Sequence, residues 1–174
     1  VYKRQMLHRA IVSGTAVYVV LMAIPFVPGA EIGFTLLTAM GGALAPLIYL
    51  ATAVSLMVAF LIGRLLPPTL LHKGLSGMGL KRAAAFVQET SEMTNDDLQA
   101  KLRSMTGGKS GWLLRYRYVA LALAVNMPGN VVLGGGGGIA LMAGVSRLFS
   151  PLTFLLTILV AVLPVPLLFF LGSL

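Results

Sequence analysis

Glu31 is the only acidic residue outside the stretch from Glu89 to Asp97, and it lies in Pro25-Phe26-Val27-Pro28-Gly29-Ala30-Glu31 between two long apolar runs. A lone carboxylate among apolar segments is costly to keep, which makes it a candidate functional group. Such a group can carry a proton, because desolvation disfavours the charged form of a carboxyl. Arg64 and Arg147 each border an apolar run and are candidates for bidentate phosphate pairing. Two Pro-Gly pairs, Pro28-Gly29 and Pro128-Gly129, interrupt the apolar blocks. A helix that restarts after such a break offers unpaired N–H groups and a positive dipole end, and Asn130 follows the second break. The run Gly134, Gly135, Gly136, Gly137, Gly138 could add a nest of backbone amides, since glycine lets a backbone approach an anion closely. These residues form the candidate binding set, with Glu31 as the proton-coupling group and no catalytic or metal-binding residue.

The elements that must hold them are those of a lipid-solvated chain. Of the 174 residues, 57% are hydrophobic and 10% charged, with a mean hydropathy of +0.92, and this composition predicts an all-α integral membrane protein. No Cys is present, which excludes disulfides, Cys-ligated zinc and thiol chemistry. The chain starts at Val1 rather than Met, as a fragment or a processed chain does.

Four apolar blocks fall into two similar halves, so the 174 residues read as one membrane domain: repeat 10–66, polar linker 67–112, repeat 113–174. Each half has an apolar arm (Ala10 to Val27; Leu113 to Met127), a Pro-Gly break, a glycine-rich stretch and a run opened by proline (Pro46 to Leu66; Pro151 to Leu171). Each final run has 21 residues, enough at about 1.5 Å per residue to cross a hydrocarbon core of roughly 30 Å. The intervening stretches differ by five residues, 16 against 21, and the five-glycine run reads as an insertion into one copy.

Broken helices persist at membrane depth only where protein or a water-filled cavity satisfies the freed backbone, so each unit reads as a re-entrant hairpin plus a transmembrane helix. Repeated, interrupted segments point to a transporter-like site between the repeats. The linker should be helical, with Thr94 and Asp97 spaced as a capping box. From Lys73 to Arg117 there are eight Lys/Arg against four Asp/Glu, which places the linker in the cytoplasm. The basic N-terminal flank argues for the same side, and whether the hairpins open to one side or to both stays open.

Plainer readings stand beside these. Arg64 and Arg147 could mark helix ends and snorkel to the interface, Glu31 could pair with an arginine, and the glycine run could be a flexible loop. Small-residue packing at Gly29/Gly33 and Gly134/Gly138 would also account for those glycines. Gly108-Lys109-Ser110 imitates the end of a P-loop, but the position that needs its first glycine is Arg103. His8 and His72 have no carboxylate neighbours in sequence, which argues against metal ligation. Trp112, Tyr116 and Tyr118 suit an interfacial belt rather than base stacking, so no nucleic-acid partner is expected.

The segment Pro25 to Glu31 resembles the proline-rich opening, with its acidic residue, of the DedA / VTT (SNARE-associated) membrane proteins. Phe60-Leu61-Ile62-Gly63-Arg64 is similar to that family's aromatic-xxx-basic motif, and Gly138 to Met142 to the start of its glycine-xxx-aliphatic motif. The pattern departs where an aromatic would fall on Arg147, where a second acidic residue is missing between Ala30 and Pro46, and where Arg115 and Arg117 lack a nearby proline. A divergent member is what these residues resemble. The resemblance implies a translocase or scramblase of phospholipid or polyprenyl-phosphate head groups, coupled to protons through Glu31, in a bacterial inner (plasma) membrane. The partners it implies are membrane lipids with an anionic head group or lipid phosphate and protons, with a homo-oligomer left open and no cofactor. A proton-coupled exporter of small molecules is the second reading. An intramembrane phosphatase for a lipid pyrophosphate is the third and weakest, because no Asp, Cys or His stands in the apolar runs and one carboxylate would do all the acid–base work; the chain is accordingly expected not to be an enzyme.

Overall fold

The computed structural model describes residues 2–25, 27, 29–94, 96–97, 100, 116–127 and 129–172. All regular structure among them is helical. In chain order the helices are α1 (Tyr2–Ala23), α2 (Gly29–Met40), α3 (Ala45–Leu65), α4 (Pro68–Gly77), α5 (Lys81–Ser91), α6 (Arg117–Asn126), α7 (Gly135–Ser146), α8 (Pro151–Val162) and α9 (Pro164–Leu171). Short 3₁₀ turns at Gly42–Leu44 and Asn130–Leu133 precede α3 and α7. Pro28, Pro128 and most of the linker's second half lie outside the described residues.

Prolines set most of the boundaries. Pro25 follows Ile24, and the residue before a proline is pushed out of the α region, so α1 closes at Ala23 rather than continuing to Val27. Met127 is extended ahead of position 128 for the same reason and ends α6. Pro46 and Pro151 stand in the first turns of α3 and α8, where a missing N–H is harmless. The Ser150 hydroxyl additionally caps α8 by accepting the Thr153 N–H at 3.3 Å.

The second proline-opened run differs from the sequence expectation. Pro151 to Leu171 is not one 21-residue helix but α8 and α9, bent by 40° at Leu163. Pro164 cannot donate to the carbonyl of Val160, and its ring crowds that carbonyl, so the helix kinks one residue earlier. Among the described residues, Gly42–Leu65 is the one stretch long and apolar enough to cross a membrane, and α8 with α9 makes a second only if the bent pair counts as one span.

The glycine run is also placed differently. Gly135 to Gly138 open α7 and are buried, so they are helix rather than a flexible insertion. α2 and α7 both have 12 residues, and each is followed by a four-residue connection. The extra length of the second stretch therefore falls in the 3₁₀ turn Asn130–Leu133, which Gly129 and Gly134 flank with positive φ (75° and 112°). Only glycine adopts those angles without strain.

The centre of the molecule is the crossing of α3 over α7. A Cβ on Gly63 would fall on the carbonyl oxygen of Leu141, and one on Gly144 on the carbonyl oxygen of Phe60, so the two backbones touch through a reciprocal pair of glycines. Beside this crossing Phe60 and Phe154 stack with centroids 4.1 Å apart, both fully buried. Tyr49 ties α3 to α8 by donating to the Leu159 carbonyl at 2.9 Å, and Ser55 ties α3 to α1 by donating to the Val19 carbonyl at 2.7 Å.

The first part of the linker forms a hairpin, α4 and α5, whose Leu71, Leu75, Ala83, Ala84 and Val87 pack on Leu141 of α7. Beyond it, the Thr94 N–H donates to the Asp97 carboxylate at 3.1 Å and the Thr94 hydroxyl bonds to the same oxygen. The expected cap is present, and these bonds, the hydroxyl's first, hold the Asp97 carboxyl below its ordinary range.

Outward faces carry apolar side chains. Leu50, Val54 and Val58 of α3 and Leu152, Leu156 and Val160 of α8 form exposed stripes at four-residue spacing, the reverse of the polar outer face that a water-soluble helix presents.

Candidate functional site

A cavity of about 380 Å³ lies where the breaks in the two apolar blocks meet. Its wall takes Tyr18 and Met22 from α1, the first turns of α2 from Gly29 to Gly33, Thr52 and Leu56 of α3, Asn126 and Asn130 beside the second break, and Gly136 of α7. Four of the residues expected from sequence are thereby brought together: Gly29, Glu31, Asn130 and Gly136. Among the described residues in the wall, Glu31 is the only charged side chain.

Glu31 sits in the first turn of α2, where its charge is favourable to the helix dipole. Its side chain is exposed, and it forms no ion pair with a described residue. Asn130 is its opposite in setting, with 1% of its surface exposed. Its Nδ2 donates to the Val125 carbonyl at 2.7 Å, while its Oδ1 is buried with no hydrogen-bond partner among the described residues. Asn130 lines the cavity, and a buried acceptor left unmade, as its Oδ1 is among the described residues, costs about 1–3 kcal/mol.

Sequence reasoning passed over Tyr18, Thr52 and Asn126. The Thr52 hydroxyl points its hydrogen at the Ile48 carbonyl, 2.8 Å away, so at 2.9 Å it is Tyr18 that donates to Thr52. Asn126 donates from Nδ2 to Ala122 in its own helix and to Ala161 in α8, both at 2.9 Å. The available signal was the same for all three: polar side chains inside apolar runs, each needing a partner.

The arginines lie elsewhere. Leu56 faces Gly136, Gly63 meets Leu141, and Gly144 meets Phe60, so α3 and α7 run in the same direction away from the cavity. At about 1.5 Å per residue, Arg64 stands roughly 12 Å beyond Leu56 and Arg147 roughly 16 Å beyond Gly136. Arg64 Nη1 donates to the Phe149 carbonyl at 2.8 Å, and its guanidinium lies 5.9 Å from the Phe60 ring centroid. It thus braces the end of α3 against the connection between α7 and α8. Arg147 is exposed and ends α7 with φ 55°, and it is the one non-glycine residue with positive φ among those described. Neither contacts Glu31.

The remaining glycines are packed against protein. Gly135 and Gly137 abut the backbone of Val27 and of Met22–Ala23, and Gly134 and Gly138 are buried beside them, whereas Gly129 is exposed and outside the cavity wall. Among the described residues, no group of three His, Cys, Asp or Glu is placed to hold a metal ion.

Replacing Arg147 by Gly separates its backbone from its charge. A left-handed non-glycine residue is strained by about 1–2 kcal/mol, so Arg147→Gly should raise the midpoint of thermal unfolding in detergent. If the guanidinium also has a binding role of its own, the same variant should lose that role while gaining stability. A variant less stable than wild type would mean that the side chain itself holds the C-terminus of α7.

No protein-family model, no curated protein and no solved structure matches this chain.

Proposed function

We propose that the chain is an integral membrane transporter of the lipid translocase or scramblase type, which passes phospholipid or polyprenyl-phosphate head groups through the cavity between its two broken segments. The observation that carries this reading is the cavity itself, lined by Glu31 and by Asn130, whose Oδ1 has no partner among the described residues, and bordered by the first turns of α2 and α7. Buried helix starts supply N–H groups and partial positive charge to a phosphate without any mobile counter-ion. The apolar stripes of α3 and α8 support a lipid surround, since exposed apolar area on this scale is a liability in water.

On this reading each half is a hairpin unit plus a crossing segment, and α1-α2-α3 corresponds in order to α6-α7-α8. Arg64 and Arg147, at the far ends of α3 and α7, receive the phosphate at the membrane surface rather than in the cavity. Glu31 couples the passage to protons, with the polar hairpin α4–α5 on the cytoplasmic side of a bacterial inner membrane. Divergent membership of the DedA / VTT family remains part of this proposal and rests on the motif likeness of Pro25 to Glu31 and Phe60 to Arg64.

A second reading has its own support. With Glu31 as the lone charged side chain among the described wall residues, the cavity also suits a small organic cation exported against protons. The test runs both substrates in proteoliposomes, a fluorescent phospholipid in one arm and a soluble organic cation in the other, with and without a pH gradient. The lipid reading expects translocation in the first arm only. Glu31→Gln keeps the shape of a protonated carboxyl, so it should insert and fold normally yet lose the response to the gradient. An equal gradient response in wild type and Glu31→Gln would remove proton coupling through this residue.

A further inference from the structure

A second, smaller cavity of about 100 Å³ lies between α1, the end of α2 and the start of α3. Tyr18 and Ile48 line both this cavity and the large one, so the two share a wall of only these side chains. Its own lining is apolar apart from Tyr18 and Thr15, and the Thr15 hydroxyl is turned back to the Ile11 carbonyl at 2.7 Å. Tyr18 likewise spends its hydrogen on Thr52, as shown above, which leaves the smaller cavity a hydrocarbon face. On the outer side stands Gly14, exposed on α1, where an added Cβ would meet nothing within 4 Å. Glycine in a helix interior costs about 1 kcal/mol against alanine, and at Gly14 no close packing, turn or positive φ accounts for it. What its missing side chain does provide is room along the groove.

We propose that this groove holds the aliphatic tail of the translocated lipid, with the head group in the large cavity beside Glu31 and Asn130 and the tail leaving past Tyr18 and Ile48 into the bilayer. The inference rests on the lipid reading of the large cavity and adds to it the place and chemistry of the tail. A polar head is costly to hold in hydrocarbon and an acyl chain costly to hold beside a carboxylate. A site for a whole amphiphile therefore needs a polar compartment joined to an apolar one that opens sideways. The two cavities lie on either side of Tyr18 and Ile48, so a tail passes between them once these two side chains turn aside, and the flank at Gly14 leaves the smaller cavity open to the bilayer.

The experiment fills the groove without touching the head-group compartment. Wild type and Gly14→Leu are reconstituted in the same vesicles, and translocation is followed for a long-chain fluorescent phospholipid and for an analogue with the same head group and short tails. Gly14→Leu should slow the long-chain lipid by at least about tenfold, the change that roughly 1.4 kcal/mol of lost tail contact produces, and leave the short-tailed analogue near the wild-type rate. Wild type that moves neither lipid sinks the lipid reading itself. Wild type that moves both, with Gly14→Leu moving the long-chain lipid equally well, overturns the groove alone and means that it holds only ordinary bilayer lipid. Should Gly14→Leu fail to fold, a phospholipid with a photoreactive tail decides the matter in wild type: the label should fall on Ile11, Gly14, Leu44 or Leu47, and label confined to the outward stripes of α3 and α8 would overturn the proposal.

Discussion

Gly144→Ala and Gly63→Ala should each cost about 3 kcal/mol or more of stability and disorganise the cavity as well. Overfilling a packed core typically costs about 1–3 kcal/mol, because side chains can swing aside. At this crossing nothing can swing. A methyl group added at Gly144 would land on the Phe60 carbonyl oxygen and within 3.0 Å of the Arg64 amide nitrogen, and one added at Gly63 on the Leu141 carbonyl oxygen with the Leu141 carbonyl carbon at 3.0 Å. Relief requires moving one whole helix away from the other. Since α7 carries Gly136 into the cavity wall and α3 carries Thr52 and Leu56, the displacement should also lower the proposed transport in molecules that stay folded. Gly74→Ala is the internal control, because a Cβ there meets nothing within 4 Å and helix propensity alone should give up to about 1 kcal/mol of stabilisation. Thermal unfolding in detergent measures all three. A melting point for Gly144→Ala equal to that of wild type would mean that α3 and α7 do not touch at these glycines.

Phe154→Ala should produce the largest loss among the side-chain truncations. Phe154 is fully buried and stacked on Phe60 at an interplanar angle of 17°. Removing a buried Phe in a water-soluble protein costs about 3–5 kcal/mol, of which part is transfer from water and part the void left behind. On the membrane reading proposed above, the unfolded alternative for this ring is lipid, so the transfer part shrinks and packing dominates. We therefore expect a loss at the low end, about 3 kcal/mol, and a smaller one for Phe154→Leu, which refills much of the space. Leu156→Ala, on the exposed stripe of α8, should be close to neutral for the same reason. If Leu156→Ala instead proved as damaging as Phe154→Ala, the stripe would be covered by protein rather than by lipid.

The sequence by itself determined the all-helical class, because 57% apolar residues in long runs punctuated by proline leave few other solutions. It also determined where the proline-opened helices start. Proline acts through its own ring and its missing N–H, a local effect that needs no partner, so the openings of α3 and α8 and the break after Met127 were legible residue by residue, while the earlier end of α1 before Pro25, written just as locally, was missed. The kink at Leu163 was equally local, written in Pro164, and escaped only because a 21-residue apolar run looks continuous when its length is read without its prolines. The Thr94–Asp97 cap was legible because both halves of it lie within one turn.

Only the tertiary structure decided which of the candidate residues share a site. Glu31 and Asn130 are 99 positions apart in the chain and Gly136 follows them in a different helix, yet all three border one cavity. Arg64 and Arg147 satisfy the same sequence criteria and stand roughly two to three turns away. The difference is made by the direction in which α3 and α7 cross, and that direction is set by Gly63 and Gly144, whose meaning depends on what lies opposite each of them. A glycine run is likewise ambiguous in one dimension, since a flexible loop, an anion nest and a close-packed helix face all require the same absent side chain. Gly135 and Gly137 become a packing face because the backbone of Met22, Ala23 and Val27 comes to rest on them, a contact between segments more than a hundred residues apart.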